Sequence, residues 1–513
     1  LTQAPRRAFD VWTAQRARTR NRLGRRAGIA THPGAGNLGT QRISLHLKAN
    51  LNSMAISTKP PSGTRDFLPD DIARRTHVVD IIRGTYEAHG FVPLETPTME
   101  RLDVLTGKYG AEGDQLMFRV LKRRDNLPPL DATTDVSTLT DLGLRYDLTV
   151  PLARVVAAHA GRLPRFFKRY QIQPVWRADR PQRGRFREFY QCDVDYLGTT
   201  SSLAEASVIG AITDALGALG FGDVRVRLND RRILRGMMET ASIPEESRSA
   251  VLTIIDKIDK ILVDGVTSEL RDAGLSETQI SQLAPALLSS DEIVDLSIDA
   301  SRQRIIHLRA HFEGHSDCGL AGCDALSDLL DLIEAAPPSS GAVVVDPSLA
   351  RGLSYYTGPI FEVAVDDLPG SIGGGGRYDK LIGMFRNQDI PAVGFSLGLE
   401  RILVVMEERG MFPPLSTHDD IMFLPIDATG QAHALRAAQI ARSVGARTSI
   451  YPDLAKLGKQ IQYAESLNVP LVGICGEREA REGCVGIKRL SDGTQATIPL
   501  DSLADHLVGM LEK

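Results

Sequence analysis

Residues 177–195 read RADRPQRGRFREFYQCDVD, with five arginines in the first eleven positions and then Gln191, Asp193 and Asp195. Tested as a strand from Phe186 onward, the run separates into two faces, because side chains alternate along an extended backbone. Glu188, Tyr190, Cys192, Val194 and Tyr196 share one face, largely suited to a core. Arg187, Phe189, Gln191, Asp193 and Asp195 share the other, which is polar apart from one aromatic ring. The preceding YQIQPVWR is also strand-like, so ADRPQRG reads as the loop of a hairpin whose guanidinium groups project over the polar face. Guanidinium forks suit phosphate oxygens. Taken alone, the stretch fits an elongated anionic ligand or a solvated hairpin equally well.

Working outward, three further stretches bear on that choice. RGLSYYTGPIFEV, residues 351–363, sets Arg351, Tyr355 and Tyr356 ahead of an apolar strand; Gly352 permits close approach of a ligand. GGGGRYDKL, residues 373–381, lacks both the G-K-[ST] ending of a phosphate loop and the spacing of a dinucleotide fingerprint. Its glycines read instead as bare backbone against which a substrate can lie. PAVGFSLGLERILVVMEE, residues 391–408, reads as a strand, a turn and a helix. Arg401 falls in the first turns of that helix, where it opposes the helix dipole and a bound anion would account for it.

The rest of the chain frames these motifs. At 513 residues it implies roughly two to four domains. Five cysteines give no disulfide framework, and no apolar run approaches the roughly 18 residues of a membrane span, so a soluble, reducing compartment is expected. His315, Cys318 and Cys323 match no familiar zinc module; surface-loop cysteines are the expectation there. Residues 1–53 carry ten Arg and Lys against one acid, leaving a body of charge −13 whose global field would not recruit nucleic acid. That basic segment fits a transit peptide, a disordered arm or sequence upstream of the true start; the opening on Leu1 and the position of Met54 favour the last.

From Asp70 a helix is expected, with a stripe of Ile72, Val78, Val79, Ile82 and Tyr86 and an end at Gly90. FVPLETPTM then reads as an edge or interface strand, because Pro93 and Pro97 exclude helix. Residues 230–336 read as a helical insertion inside a larger sheet domain, 57–229 and 337–412. Beyond it, 419–513 alternates strand and helix, the pattern of a small α/β domain with a largely parallel sheet.

The order PSGTRDFLP, LRYDLTVPL, FRE-FYQCDVD, RGLSYYTG, GGGGRYD and GFSLGLERIL closely resembles the histidyl-tRNA synthetases, class II aminoacyl-tRNA synthetases, from about Lys59 to the C-terminus. The resemblance implies an α+β fold: an antiparallel catalytic sheet flanked by helices, the helical insertion, and a C-terminal α/β anticodon-binding domain. It implies a cytoplasmic homodimer with residues 91–98 in its interface, and L-histidine, ATP, magnesium and tRNA(His) as ligands. Arg177 and Arg351 would serve the α-phosphate and the substrate carboxylate. Arg185 and Arg401 would hold the triphosphate tail, and Phe189 would stack on adenine. Asp147, Leu148 and Thr149 of DLT and Gln191 would line the ammonium side, while Asp195 and Tyr355 or Tyr356 would address the imidazole. Two positions depart from the commonest bacterial pattern: Ser354 stands where Asp is frequent, and Asp195 where many bacterial members have Glu. The nearest rival is a non-catalytic paralogue, either the regulatory subunit of an ATP phosphoribosyltransferase, which lacks the anticodon-binding domain, or a module that senses tRNA without charging it.

Overall fold

The computed structural model describes residues 57–106, 114–123, 135–287, 293–350, 355–368, 370–415 and 417–511. The readings made for residues 1–53 and for Arg351, Gly352 and Ser354 lie outside these. The elements below belong to the unit running from Pro60 to Lys513.

Its centre is an eight-stranded sheet. In chain order the strands are β1 (Val92–Pro93), β2 (Phe167–Trp176), β3 (Glu188–Leu197), β4 (Arg225–Asp230), β5 (Ala342–Val345), β6 (Pro359–Ala364), β7 (Ser371–Arg377) and β8 (Ala392–Gly398). In space they run β1-β2-β3-β8-β7-β6-β4-β5. The six inner strands are antiparallel, and only the edge pairs β1–β2 and β4–β5 are parallel. Helices α1 (Pro69–Ala88), α3 (Leu203–Ala218) and α4 (Leu399–Glu408) contribute Val78, Ile82, Val208, Ile212, Ile402 and Val405 to the apolar cluster that also takes Cys192 and Val194 of β3. The opposite face of β3 is thereby left for polar side chains.

Helix α1 begins at Pro69, where a missing N–H costs nothing, and the Asp71 carboxylate accepts from Leu68 N–H at 3.1 Å. Val78, Ile82 and Tyr86 are buried as the pattern predicts, and Gly90 ends the helix with φ +77°. Ile72 is not part of the buried stripe. It is exposed, and the inward position of that turn belongs to Arg75, held by Glu400 at 2.9 Å.

A three-stranded sheet, Met99–Arg101, Thr140–Leu144 and Arg119–Leu121, leads into residues 145–148 and helix α2 (Thr149–His159). Arg145 is buried and donates to the Thr96 carbonyl at 2.6 Å, the Pro174 carbonyl at 2.8 Å and Gln173 Oε1 at 2.9 Å. One arginine therefore ties the approach to Asp147 onto the edge of the central sheet.

Every regular element described between Arg231 and Ala335 is helical, as the periodicity predicts. Leu234, Leu326 and Leu330 are among its buried residues that share one apolar cluster with the sheet. Cys318 and Cys323 do not lie on a surface loop. They belong to the helix Asp317–Ala335, which Ser316 caps, and Cys323 is fully buried.

The C-terminal region forms a five-stranded sheet flanked by helices. Ile421–Pro425 pairs in parallel with Thr448–Ile450 and Leu471–Cys475, while Cys484–Arg489 and Gln495–Pro499 add antiparallel strands. The sheet is mixed rather than largely parallel, because the last two strands are joined by a tight turn at Gly493, φ +72°, and no crossover helix. Among the described residues no helix is long and apolar enough to cross a membrane.

Candidate active site

The polar face of β3 opens into a cavity of about 380 Å3. Phe189, Gln191, Asp193 and Asp195 all line it, as the alternation predicts, and β8 supplies Gly394 and Ser396 from the neighbouring strand. Asp147, Thr149, Arg177, Tyr355, Tyr356, Arg401 and Gly373 to Gly375 complete most of the wall. Residues separated by more than 250 positions in sequence thus meet around one space of ligand size.

Arg177 occupies one end. Its guanidinium lies over the Tyr146 ring at 4.4 Å and the Phe189 ring at 5.1 Å, and its Nε donates to the Tyr146 carbonyl at 3.1 Å. The rings and the carbonyl fix its plane, leaving donors for an anion. Arg401, in the first turn of α4, donates to the Ser371 carbonyl and lines the same cavity.

Asp195 lies 2 % exposed at the other end, held by two groups. Arg169 on β2 stands directly across the ladder from it and pairs with its carboxylate at 2.8 Å. The Tyr378 hydroxyl donates to its other oxygen. Burial raises the Asp195 pKa and Arg169 opposes that rise. Neighbouring Asp193 is raised to about 7 by burial, against the pull of Arg169 at 3.8 Å and with the push of Asp195. Gly394 makes room for this cluster: a methyl on its Cα would stand 2.6 Å from Asp195 Cγ.

Asp147, just before α2, accepts from Val150 N–H at 3.1 Å and from the Tyr355 hydroxyl at 3.3 Å. Tyr355 packs edge-on to both Tyr356 and Tyr378. Burial first, then the carboxylates Asp147, Asp193 and Asp195, push the Tyr356 phenol well above its ordinary pKa, so it remains a neutral hydroxyl. Gln191 donates through Nε2 to Ser396 Oγ at 2.8 Å, which turns its Oε1 toward no protein donor.

The glycine run is strand β7 and not a loop. Methyls on Gly373 and Gly375 would come within 2.6 Å of the Phe395 ring and 2.7 Å of Phe395 Cα, whereas one on Gly374 would meet only the Phe361 carbonyl at 3.7 Å. Close strand packing accounts for the first two, and bare backbone facing the cavity for the third.

Three sequence-predicted residues do not reach the wall. Leu148 is fully buried, because its neighbours Asp147 and Thr149 take the outward positions where α2 begins. Arg185 is exposed on the hairpin loop, which passes beside the aliphatic stem of Arg401 at Gly184. Arg187 precedes the first residue of β3 and turns to the carbonyls of Asp179 at 3.2 Å and Ser62 at 3.3 Å, anchoring the loop instead. Arg351 lies outside the described residues.

With this geometry in place, likeness to known proteins can be weighed. Residues 63–402 match the family model described as histidyl-tRNA synthetase, and residues 420–510 match an anticodon binding domain. The chain belongs to the histidyl-tRNA synthetase family. Among its relatives, a histidine–tRNA ligase of Porphyromonas gingivalis is 42% identical over 86% of this chain and 97% of its own length. One from Christiangramia forsetii is 38% identical over 88% of this chain and its whole length. A crystal structure of histidyl-tRNA synthetase from a Nostoc species superposes with a TM-score of 0.71 at 29% identity, covering 89% of this chain and all of that one. Within this histidyl-tRNA synthetase fold, local sequence reading missed Arg169, Tyr378 and Gly394. The available signal was an arginine alternating inward along KRYQIQ and a tyrosine two residues after the glycine run.

Proposed function

We propose that the chain is a histidine–tRNA ligase that joins the carboxylate of L-histidine to the α-phosphorus of ATP and then passes the histidyl group to tRNA(His). In the first step a carboxylate oxygen attacks phosphorus, the bond to the leaving diphosphate breaks, and histidyl-adenylate remains. Two anions must meet, so the barrier falls where fixed cations hold both. Arg177 and Arg351 take that role. Arg401 holds the triphosphate tail, with Arg185 reaching it from the flanking loop, and Phe189 stacks on adenine. The single observation that carries this reading is the division of one cavity into a cationic aromatic end at Arg177 and an acceptor end at Asp147, Gln191 and Asp195.

Thr149 and Gln191 address the ammonium. Asp195, fixed by Arg169 and Tyr378, accepts an imidazole N–H, and Tyr356 or Tyr355 faces the other ring nitrogen. Among the described residues no three metal-ligating side chains cluster. Glu362 of the wall would be the protein carboxylate for a magnesium ion, which would screen the phosphate charge.

Residues 57–229 and 337–412 would carry out activation, 230–336 would form the insertion, and 419–513 would read the anticodon. We place the enzyme in the cytoplasm as a homodimer joined along residues 91–98. Val92 at the sheet edge and Met99 nearby are half exposed, which a second copy would cover. A non-catalytic paralogue is disfavoured, since the anticodon-binding region is present and the acceptors are intact. The test is charging of a tRNA(His) transcript with labelled histidine. Wild type is expected to charge it and Arg177→Ala to lose most of the rate at unchanged thermal stability; equal rates would remove Arg177 from the mechanism.

A further inference from the structure

The stretch PSGTRDFLP, residues 61–69, lines no part of the cavity, yet it is docked against the hairpin loop that carries Arg185. The Gly63 carbonyl accepts from Arg187 N–H at 2.7 Å, and the Ser62 carbonyl from the Arg187 guanidinium at 3.3 Å. Gly63 stands at φ +83°. A methyl on its Cα would come 2.7 Å from Arg187 Cγ, 2.8 Å from Arg187 Cδ and 3.0 Å from Pro181 Cγ, all of them atoms of the loop and its base. Only a glycine lets the two segments approach so closely. Two residues on, the Arg65 guanidinium lies 3.6 Å over the Phe186 ring at the base of the loop and 5.0 Å from the Phe67 ring.

The same segment reaches helix α4. Phe67 also takes the Arg75 guanidinium at 4.2 Å, and Arg75 pairs at 2.9 Å with Glu400, the residue before Arg401. A continuous line of contacts through Phe186, Arg65, Phe67, Arg75 and Glu400 therefore joins the loop to the helix whose first turn carries Arg401. The loop tip moves as one piece, because Gln182 and Arg185 exchange backbone bonds at 2.8 and 3.1 Å. Its direct tie to α4, from Arg183 to Glu408, is half exposed, where an ion pair is worth little.

We propose that residues 62–67 are a brace that holds the hairpin loop against α4, and that Gly63 and Arg65 are positioning residues for ATP. They keep Arg185 and Arg401 at the separation at which both meet the triphosphate tail. The proposal rests on the histidine-activating reading and deepens it. Arg185 is exposed, so the backbone beneath it sets where its charge falls, and a displacement of about 1 Å there takes it off a phosphate oxygen.

Histidine-dependent ATP–pyrophosphate exchange, with each substrate varied in turn, separates positioning from stability alone. Gly63→Ala is expected to raise the KM for ATP about tenfold or more, the worth of one charge-assisted bond. Arg65→Ala is expected to raise it about threefold, the worth of one cation–ring contact. The KM for histidine is expected to stay unchanged in both, since its acceptors lie at the other end of the cavity. An unchanged ATP constant in either variant, or an equal rise in both constants, overturns the proposal. In the unmodified protein, hydrogen exchange at the Arg187 amide is expected to be slow with and without ATP. Protection that appears only when ATP is added would make the nucleotide, and not the segment, the holder of the loop, and overturns the proposal even if both variants fail to fold. Absence of pyrophosphate exchange in the wild type would instead defeat the histidine-activating reading.

Discussion

Gly394→Ala tests the geometry of the acceptor end most sharply. The added methyl would sit 2.6 Å from Asp195 Cγ and 3.2 Å from the Val194 carbonyl. Carbon atoms rest at about 3.5–4.0 Å, so the carboxyl group must withdraw by roughly 1 Å. Because β3 lies between β8 and β2, the push drives the carboxylate away from Gly394 and toward Arg169, so the 2.8 Å pairing and the bond from Tyr378 must both rearrange. Asp195 then no longer stands where an imidazole N–H can reach it. Loss of one hydrogen bond to a charged group is worth about 1.5–3 kcal/mol, which predicts a rise in histidine KM of roughly 10- to 150-fold. The KM for ATP should change little, because Arg177 and Phe189 lie at the other end of the cavity. Pyrophosphate exchange with histidine and ATP varied in turn measures both. An unchanged histidine KM would refute the placement of Asp195, and an equal rise in both constants would show a general collapse of the sheet.

Two further outcomes follow from groups outside the substrate wall and from titration. Strand β8 ends at Gly398 opposite Gln191, so the next N–H of β3, that of Tyr190, donates to Glu400 at 2.9 Å, and the same carboxylate holds Arg75 at 2.9 Å. Glu400→Ala leaves a buried arginine and a backbone donor unmatched, a cost of about 3–5 kcal/mol that calorimetry should register as a lower Tm. Glu400→Gln, which keeps an acceptor for Tyr190, should lose less, and equal Tm values for wild type and Glu400→Ala would refute the network. Asp193 has its folded pKa raised from 3.8 to about 7, so its stabilising contribution is full below pH 3.8 and lost as pH rises through 7. In ligand-free protein the Tm advantage of Asp193→Asn over wild type should therefore grow between pH 5 and pH 8. A constant difference would contradict the raised pKa.

Most of the site was legible because period-two alternation is a local property. Phe189, Gln191, Asp193 and Asp195 could be set on one face from β3 alone, and Arg401 stood out as a cation in the wrong half of a helix. What local reading could not supply was register. Arg169 matters because it lies across from Asp195 on β2, and Gly394 because it lies across from the same residue on β8. Neither pairing is written in either strand by itself. Alternation was also carried one residue too far: Arg187 precedes the ladder, and there its side chain is free to take the carbonyls of Asp179 and Ser62. Ile72 failed for a similar reason, since an apolar stripe does not reveal that its turn will be claimed by the buried pair of Arg75 and Glu400.

The central claim is that this cavity forms histidyl-adenylate. Its most direct measurement is ATP–pyrophosphate exchange by the purified protein, with each amino acid supplied in turn and no tRNA present. Exchange is expected to depend on histidine and to be absent with the other amino acids. Well-folded protein that shows no exchange with histidine, or that exchanges equally well with an amino acid lacking the imidazole, would contradict it.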